Sequence, residues 1–492
     1  MLGIELHRNS DTSLSRQIYR TLRDQITDGQ MAAGDTLPST RELARGLAVS
    51  RNTVSEAYEM LSAEGYITSR QGSPTRISEG LFIAASQSAV RAGQTGNSTN
   101  SGRTGDIGQS GHAGHAGHAG HAEAVPPHTY PILADFHTGK PDLRQFPRFQ
   151  WLRFMRKAAE NLPLADFGYT GPEGLPALRT EIASWIFRSR GLIVPAGDIF
   201  ITAGATHALH LIADLLCHDG RGIIMEDPCH MGMLRVLRSK GYPIWPVPAD
   251  EQGLRTDLLE KNGAGAVYVT PSHQFPLGGI LPAARRAALI RYARENDVYI
   301  IEDDYDSEYR YAGGPVAPLC AMDPERVIYV GTFSKILFPA LRIGYVVLPQ
   351  PLQARWRYLR THTDVQNPSF EQAALAEYLH TRKLDRHVQK MRRLYGERRQ
   401  KLLAALDEAF GSKLRPWGDA AGLHVAIEFP GKCFDDTFIE KSRKAGIRIT
   451  PVEYHSICKG RHRDKLLLSY GHLEPEEIDQ SVGLLKELLE SC

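Results

Sequence analysis

A chain of 492 residues exceeds what one hydrophobic core ordinarily supports, about 250 to 300 residues, so two or more domains are predicted. Hydrophobic residues at 42% and charged residues at 23% are the proportions of a soluble globular protein, and a formal net charge of +2 on this length says almost nothing about partners. No apolar run reaches membrane-span length, which excludes a transmembrane helix, and MLGIELHRNS lacks the apolar core of a secretory leader. The six cysteines, Cys217, Cys229, Cys320, Cys433, Cys458 and Cys492, show no CxxC pair or framework spacing, so a reducing, cytoplasmic location is predicted.

Leu14, Ile18, Leu22 and Ile26 recur at intervals of four, which predicts one apolar stripe on a helix over 14–28, closed by Gly29 and Gly34. Pro38 precedes Ser39-Thr40-Arg41-Glu42, a capping box with Ser39 as N-cap and Glu42 reaching back to it, and the helix so started runs to about Gly46. A tight turn leads to Ser50, a second N-cap. From there RNTVSEAYEMLSAEG predicts a helix with Val54, Ala57, Tyr58 and Leu61 facing inward. Two short helices joined in this way make a helix-turn-helix, and YITSRQGSPTRI reads as a β-hairpin, turning near Gly72-Ser73-Pro74, that completes a winged variant.

The string GDTLPSTRELARGLAVSRNTVSEAYEMLSAEGYI closely resembles the DNA-binding domain of the GntR family. The resemblance implies that Arg41, Arg51, Asn52 and Thr53 approach the major groove or phosphates of operator DNA, with Ser39 and Ser50 as caps that also touch the DNA backbone. Residues 1–80 hold nine Arg and no Lys against ten Asp plus Glu, so affinity for DNA has to come from a local arginine face rather than bulk attraction. The wing departs from the family's glycine-rich turn, with Pro74 where a second glycine is common.

Beyond this domain, residues 1–80, the composition shifts to Gly, Ala, Ser, Thr, Asn and His, and residues 81–129 are predicted to be a flexible linker that buries too little apolar surface to offset its ordering entropy. Within it HAGHAGHAGHA places His112, His115, His118 and His121 at intervals of three. An extended conformation with three residues per turn would align the imidazoles for weak metal binding, but a low-complexity spacer is the preferred reading and no metal site is predicted.

The remainder, 130–492, is predicted to be an α/β unit with a large part over about 166–350 and a small part over about 351–492. HTGKPDLRQFPRFQW is a Gly/Pro-rich lead-in, followed by Tyr169-Thr170-Gly171-Pro172-Glu173-Gly174 and an amphipathic helix ending at Arg190-Gly191. DIFITAGATHALHLIADLL reads as strand, glycine turn and helix, with Gly204, Ala205 and Thr206 at a helix N-terminus suited to a phosphate. GIIMED and AVYVT are further strands, leading into PCHMGM and PSHQFPLGG. Two β-branched runs, 298–301 and 327–330, look like buried parallel strands. The first delivers Asp303 and Tyr305 at its carboxyl end; the second delivers Thr332, Ser334 and Lys335, with Arg342 seven residues after the lysine. In an open α/β sheet these ends converge on one crevice. Lysine, carboxylate, phenol, hydroxyls and a guanidinium together suit pyridoxal 5'-phosphate: an amine for the aldehyde, an acid for the pyridine nitrogen, and donors for the phosphate.

EDDYDSEY followed by VIYVGTFSKILFPALRIGYVVLP resembles the aminotransferase-like domain of the MocR family of GntR-type regulators. The resemblance extends over most of the chain. It implies a winged helix-turn-helix, a long linker and the large and small domains of a fold type I aminotransferase, in a head-to-tail homodimer. It also implies that Lys335 is the Schiff-base lysine, Asp303 pairs with the pyridinium, Tyr305 bonds the ring hydroxyl, and Thr332, Ser334 and Arg342 attend the phosphate. The lead-in segment is of the kind that lies across the mouth of such sites. His230 stands where relatives stack a tyrosine on the ring, and either His273 or Gln274 is the polar partner of the ring hydroxyl. The arginine that grips a substrate carboxylate in aminotransferases is missing: counting back from Gly471 its place falls on Leu466, with Arg448, Arg463 and Lys465 nearby in sequence. The expectation is therefore a regulator that senses pyridoxal phosphate itself or an amine attached to it, with weak or absent turnover; the alternative is a working aminotransferase that carries a DNA-binding arm.

Overall fold

The computed structural model describes residues 3–8, 12–68, 74–81, 130–216, 220–311, 316–418 and 421–491. Residues 82–129 of the predicted linker, with its histidine repeats, the tip of the wing, Cys217 and Cys492 lie outside them, whereas Leu81 is buried in the core of the N-terminal unit.

Three helices, Leu14–Thr27, Thr40–Gly46 and Arg51–Ala63, form the N-terminal unit, and Ile18, Leu22, Ile26, Val54, Ala57 and Leu61 make its core. Both arms of the capping box are present: Glu42 N donates to Ser39 Oγ (3.2 Å) and Ser39 N donates to Glu42 Oε2 (2.9 Å). Thr53 N donates to Ser50 Oγ at 3.1 Å. Ile67–Thr68 pairs antiparallel with Arg76–Ile77, the two arms of the wing.

Eight strands form the large sheet, in the order Ile199–Thr202, Gly344–Val347, Val327–Thr332, Tyr299–Asp304, Ala264–Val269, Gly222–Asp227, Ile244–Asp250 and Gly253–Leu254. The five from Val327–Thr332 to Ile244–Asp250 run parallel; Gly344–Val347 is antiparallel to both its neighbours. Both faces are covered, which is why these strands read as continuous apolar runs. Side chains alternate between the two layers. Ile224, Val267, Ile300, Val327 and Tyr329 enter one cluster, while Ile223, Met225, Tyr268, Ile301, Ile328 and Val330 enter the other. The same alternation sends Asp303 and Asp304 to opposite faces, with Asp303 on that of Tyr268 and Asp304 on that of Tyr329.

The small sheet is antiparallel, in the order Arg415–Trp417, His424–Glu428, Lys465–Ser469, Thr450–Pro451. The segment GIRITPV holds two short strands, Ile447–Arg448 and Thr450–Pro451, and the first pairs with Ala134–Asp135, just ahead of the lead-in. The helices Gln350–Thr363 and Ser369–His380, assigned from sequence to the small part, pack against the large one, with Trp356 buried beside Phe200.

Loss of the Ser39 cap is expected to be local. Ser39→Ala removes one acceptor of the first turn and is expected to cost about 1 kcal/mol there, read as roughly five-fold faster hydrogen exchange of amides 40–46 with little change elsewhere. Uniform acceleration across the whole helix-turn-helix would contradict it.

Candidate functional site

Five strand ends and the loops that follow them enclose a cavity of about 310 Å³. Its lining includes Thr138, Gly139, Ala205, Thr206, His230, Asp303, Tyr305, Thr332, Ser334, Lys335 and Arg342, so nine sequence-assigned residues are brought to one place.

Asp303 is buried on the strand Tyr299–Asp304. Tyr268, from the neighbouring strand, donates to its Oδ2 at 2.6 Å, while Oδ1 is buried with no hydrogen-bond partner. Burial pushes the carboxyl up to about 6, opposed by the Tyr268 hydrogen bond and Lys335 and assisted by Asp304 and Asp306. An unbonded carboxylate oxygen on a residue that lines a cavity is a site for a cationic donor, and a protonated pyridine nitrogen fits it.

Lys335 follows the strand Val327–Thr332 and its Nζ donates to Gly139 O at 2.6 Å, so the lead-in segment does lie against the reactive amine. Burial lowers its pKa, with Asp306 and Asp303 opposing, which favours the neutral amine that attacks an aldehyde. Beside it Thr332 Oγ1 lies 3.1 Å from Ser334 Oγ and accepts from Ser334 N at 3.2 Å. Arg342, held in the left-handed region at φ 49°, donates to Ala203 O at 2.6 Å. Gly204 at φ +85° is required here, because a Cβ would stand 2.9 Å from Arg342 Nη2. The helix Ala205–Leu216 begins at this point, so hydroxyls, a guanidinium and free N–H groups of a helix N-terminus face one end of the cavity, the donor set for a phosphate.

The ring end differs from expectation in detail. His230 lines the cavity, but its Nδ1 accepts from Met233 N (3.4 Å) as the N-cap of the helix Met231–Ser239. Burial and Lys335 depress it to about 4, so it is a neutral imidazole. Gln274 is a correction: fully buried and absent from the lining, it donates to Pro228 O and Phe275 O (2.8 Å each) and accepts from Leu277 N (3.0 Å), bracing its own loop. His273 lies behind the wall. Its Nδ1 is 2.9 and 3.0 Å from the Asp306 oxygens, and the Tyr305 hydroxyl reaches its carbonyl oxygen at 3.1 Å. The same hydroxyl lies 2.9 Å from His273 Nδ1, so it is held on His273 while Tyr305 lines the cavity. His273, Asp306 and His424 bring ligand atoms within 4.8 Å of one another, and the His273–Asp306 hydrogen bond accounts for the first two.

Sequence reading missed Tyr268, Asp306, Phe275 and His424. His424 opens the strand of GLHVAIEF and lines the cavity, with Phe275 beside it at a ring distance of 5.4 Å. Leu466 is the second correction: strand alternation turns it into the helix-covered core, and Leu467 faces Leu277 and Phe275. Either way the strand offers no cation. Lys465 pairs with Asp464 (2.8 Å) and Glu428 (3.7 Å), Arg448 approaches Asp135 at 4.0 Å, and Arg463 is exposed; none lines the cavity.

At the N-terminal unit Arg41, Arg51 and Asn52 are exposed, and Arg51 Nε donates to Thr40 Oγ1 at 3.3 Å. Ser39 and Ser50 serve as caps, and Ser50 Oγ also lies 2.8 Å from the half-buried Thr53 hydroxyl.

A DNA-binding head on a sheet that gathers a lysine, a buried acid and a phosphate cradle defines a transcription regulator built on an aminotransferase scaffold. Residues 143–482 match the family model for aminotransferase class I and II, and residues 14–77 that for bacterial regulatory proteins of the gntR family. The probable rhizopine catabolism regulatory protein MocR of Rhizobium meliloti is 31% identical over 98% of this chain and 94% of its own. The pyridoxine biosynthesis transcriptional regulator PdxR of Corynebacterium glutamicum is 34% identical over 87% and 85%. Among solved structures, the α-aminoadipate aminotransferase LysN of Thermus thermophilus, complexed with N-(5'-phosphopyridoxyl)-L-leucine, superposes with a TM-score of 0.67 at 26% identity, covering 73% of this chain and 92% of its own. The chain belongs to the MocR family of GntR-type transcriptional regulators.

Pyridoxamine phosphate lacks the aldehyde and bypasses covalent attachment at Lys335, so its binding isolates Asp303. The carboxyl is raised in the free site and lowered by a bound pyridinium, so affinity is full above about 6. It is expected to fall by up to about ten-fold per pH unit below that. Asp303→Asn is expected to bind more weakly with a flat profile; an equally flat wild-type profile from pH 7.5 to 5 would remove Asp303 as the ring partner.

Proposed function

We propose that this regulator binds pyridoxal phosphate through Lys335, Asp303, Tyr305, Thr332, Ser334, Arg342 and the start of the Ala205–Leu216 helix, and that occupancy of this site controls operator binding. The cofactor, when bound, supplies an aldehyde and an electron-withdrawing ring. The observation that carries the reading is Asp303 Oδ1, buried and unpaired on a residue that lines the same cavity as Lys335, Thr332, Ser334 and Arg342. The effector is pyridoxal phosphate itself or a small amine that reacts with its aldehyde.

The sensing role rests on a missing cation. Deprotonating an amino acid requires its carboxylate to be fixed so that the Cα–H bond stands perpendicular to the ring. Leu423, Phe275 and the neutral His230 and His424 offer no such grip. Sensing asks for less: two arrangements of the protein that differ in affinity for the ligand.

A second copy completes the molecule in this reading. Phe149, Leu152, Leu164, Phe167 and Tyr169 are exposed within one stretch of chain, Leu164 and Tyr169 by 87% and 89%, as a surface covered by a partner would be. A head-to-tail homodimer would place two helix-turn-helix units to read paired half-sites.

With common amino acids and 2-oxoglutarate, turnover is expected to be negligible, while affinity for a genomic fragment carrying the operator changes on adding pyridoxal phosphate. Arg51→Ala is expected to lower operator affinity by about 1 to 3 kcal/mol if its guanidinium reaches a base edge, with a smaller loss on random DNA. Sustained multiple turnover with DNA binding indifferent to the cofactor would instead establish an enzyme.

A further inference from the structure

Holding the cofactor leaves part of the cavity's lining without a task. Thr138, Phe275, Asp306, Leu423 and His424 line it, and none has a part in binding a ring, an aldehyde or a phosphate. Much of this surface is aromatic or apolar. The Phe275 ring has the His424 ring at 5.4 Å, the His230 ring at 5.8 Å and the Tyr305 ring at 6.1 Å, at interplanar angles of 67°, 80° and 85°. Rings that meet edge to face in this way suit a further ring or an apolar body laid among them. Both imidazoles are neutral. Burial, with Lys335 adding to it, depresses His230 to about 4, and burial, with His273 beside it, drives His424 well below the ordinary histidine range. Neither therefore offers a charge to an anion.

The charge in this part of the lining is negative. Asp306 is buried, lines the cavity, and is one of two acids, with Asp303, that favour the charged form of Lys335 against burial. A ring nitrogen answers Asp303. Asp306 is met by the His273 imidazole, whose Nδ1 lies 2.9 and 3.0 Å from its oxygens. Among the described residues that line the cavity the cations are Lys335 and Arg342, and pyridoxal phosphate would engage both. A further anion brought into this space is repelled by Asp306 and by the cofactor's phosphate, in surroundings that screen charge poorly. An ammonium group is drawn to the same charges, so the lining sorts ligands by sign.

We propose that the effector of this cavity is a primary amine with an uncharged ring or apolar body and no carboxylate, selected by Asp306 and by the surface of Phe275, Leu423 and His424. This rests on the reading that pyridoxal phosphate occupies the cavity, joined to Lys335. In the exchange the amine nitrogen forms a double bond to the carbon of the former aldehyde as the bond from that carbon to Lys335 Nζ breaks. The two protons of the incoming nitrogen end on Nζ, and no oxidant, reductant or water is consumed. An amino acid can undergo the same exchange, so reactivity does not separate the two classes. What separates them is where the carboxylate would lie: it meets an acid, rings and a leucine, whereas a hydrogen in its place meets no repulsion. Discrimination of this kind comes from the repulsive group as much as from the attractive surface.

Pairs that differ only by a carboxylate isolate the claim: 2-phenylethylamine against L- and D-phenylalanine, and butylamine against L-norvaline. The full-length protein loaded with pyridoxal phosphate would be titrated with each while the visible absorbance of the bound cofactor is followed. Each titration would be normalised to the same compound's reaction with free pyridoxal phosphate. Each amine is expected to reach half-change at a concentration about ten-fold or more below that of its amino acid. Borohydride reduction at saturation is expected to yield the phosphopyridoxyl derivative of the amine and an unmodified Lys335 peptide. Asp306→Asn keeps an acceptor for His273 and removes the charge, and is expected to shrink the preference by about three-fold or more. An amino acid that binds as tightly as its amine would overturn the proposal, and an unchanged preference in Asp306→Asn would remove Asp306 from it. A cofactor band that no amine alters would also overturn it, leaving pyridoxal phosphate itself as the effector. Failure of the protein to acquire that band before any amine is added would instead remove the reading of the cavity, and this proposal with it.

Discussion

A carboxylate buried with one oxygen unpaired costs free energy, on the order of 1 to 3 kcal/mol for the missing hydrogen bond, unless something arrives to complete it. Asp303 is in that position, and much of the large domain serves to hold it there. Strands on both sides exclude water, Tyr268 fixes one oxygen, and the other is left unpaired on a residue that lines the same cavity as the phosphate donors. Asp303 alone would favour any cation. The phosphate cradle, the depressed Lys335 amine and the confined volume restrict that preference to a ring bearing a protonated nitrogen, an aldehyde and a phosphate.

Among the described residues that line the cavity, the cations are Lys335 and Arg342, both on the cofactor side. Groups that bind and activate the cofactor come from the ends of the large sheet, whereas a clamp for a substrate carboxylate has to come from the small sheet or the loops around it. That side presents Leu423, Phe275 and two neutral imidazoles. Control of DNA binding asks only that a pocket distinguish full from empty.

What could be read from the residues follows from how local each feature is. The helix-turn-helix was legible because its caps and its spacing-of-four stripe act within a turn or two: Ser39 with Glu42, Ser50 with Thr53, Ile18 with Leu22. Lys335, Asp303 and Arg342 were legible because strand ends deliver them in a fixed order. Tyr268 was not, since its contact with Asp303 depends on which strands are neighbours. Gln274 and His273 could not be told apart because both sit on one loop whose path decides which faces the cavity; neither lines it, and Tyr305 receives His273 only from behind. Leu466 turns into the helix-covered core because neighbouring positions of a strand face opposite sides, which a count along the sequence does not show. The helices Gln350–Thr363 and Ser369–His380 were assigned to the wrong side because sequence position does not reveal which core a connecting helix covers.

The most direct test of the account is to reduce the protein with borohydride after adding pyridoxal phosphate and to map the product by peptide mass. The account predicts a pyridoxyl group on the peptide containing Lys335, lost in Lys335→Ala and diminished in Asp303→Asn under limiting cofactor. An adduct spread over surface lysines, or one that persists when Lys335 is replaced, would contradict it.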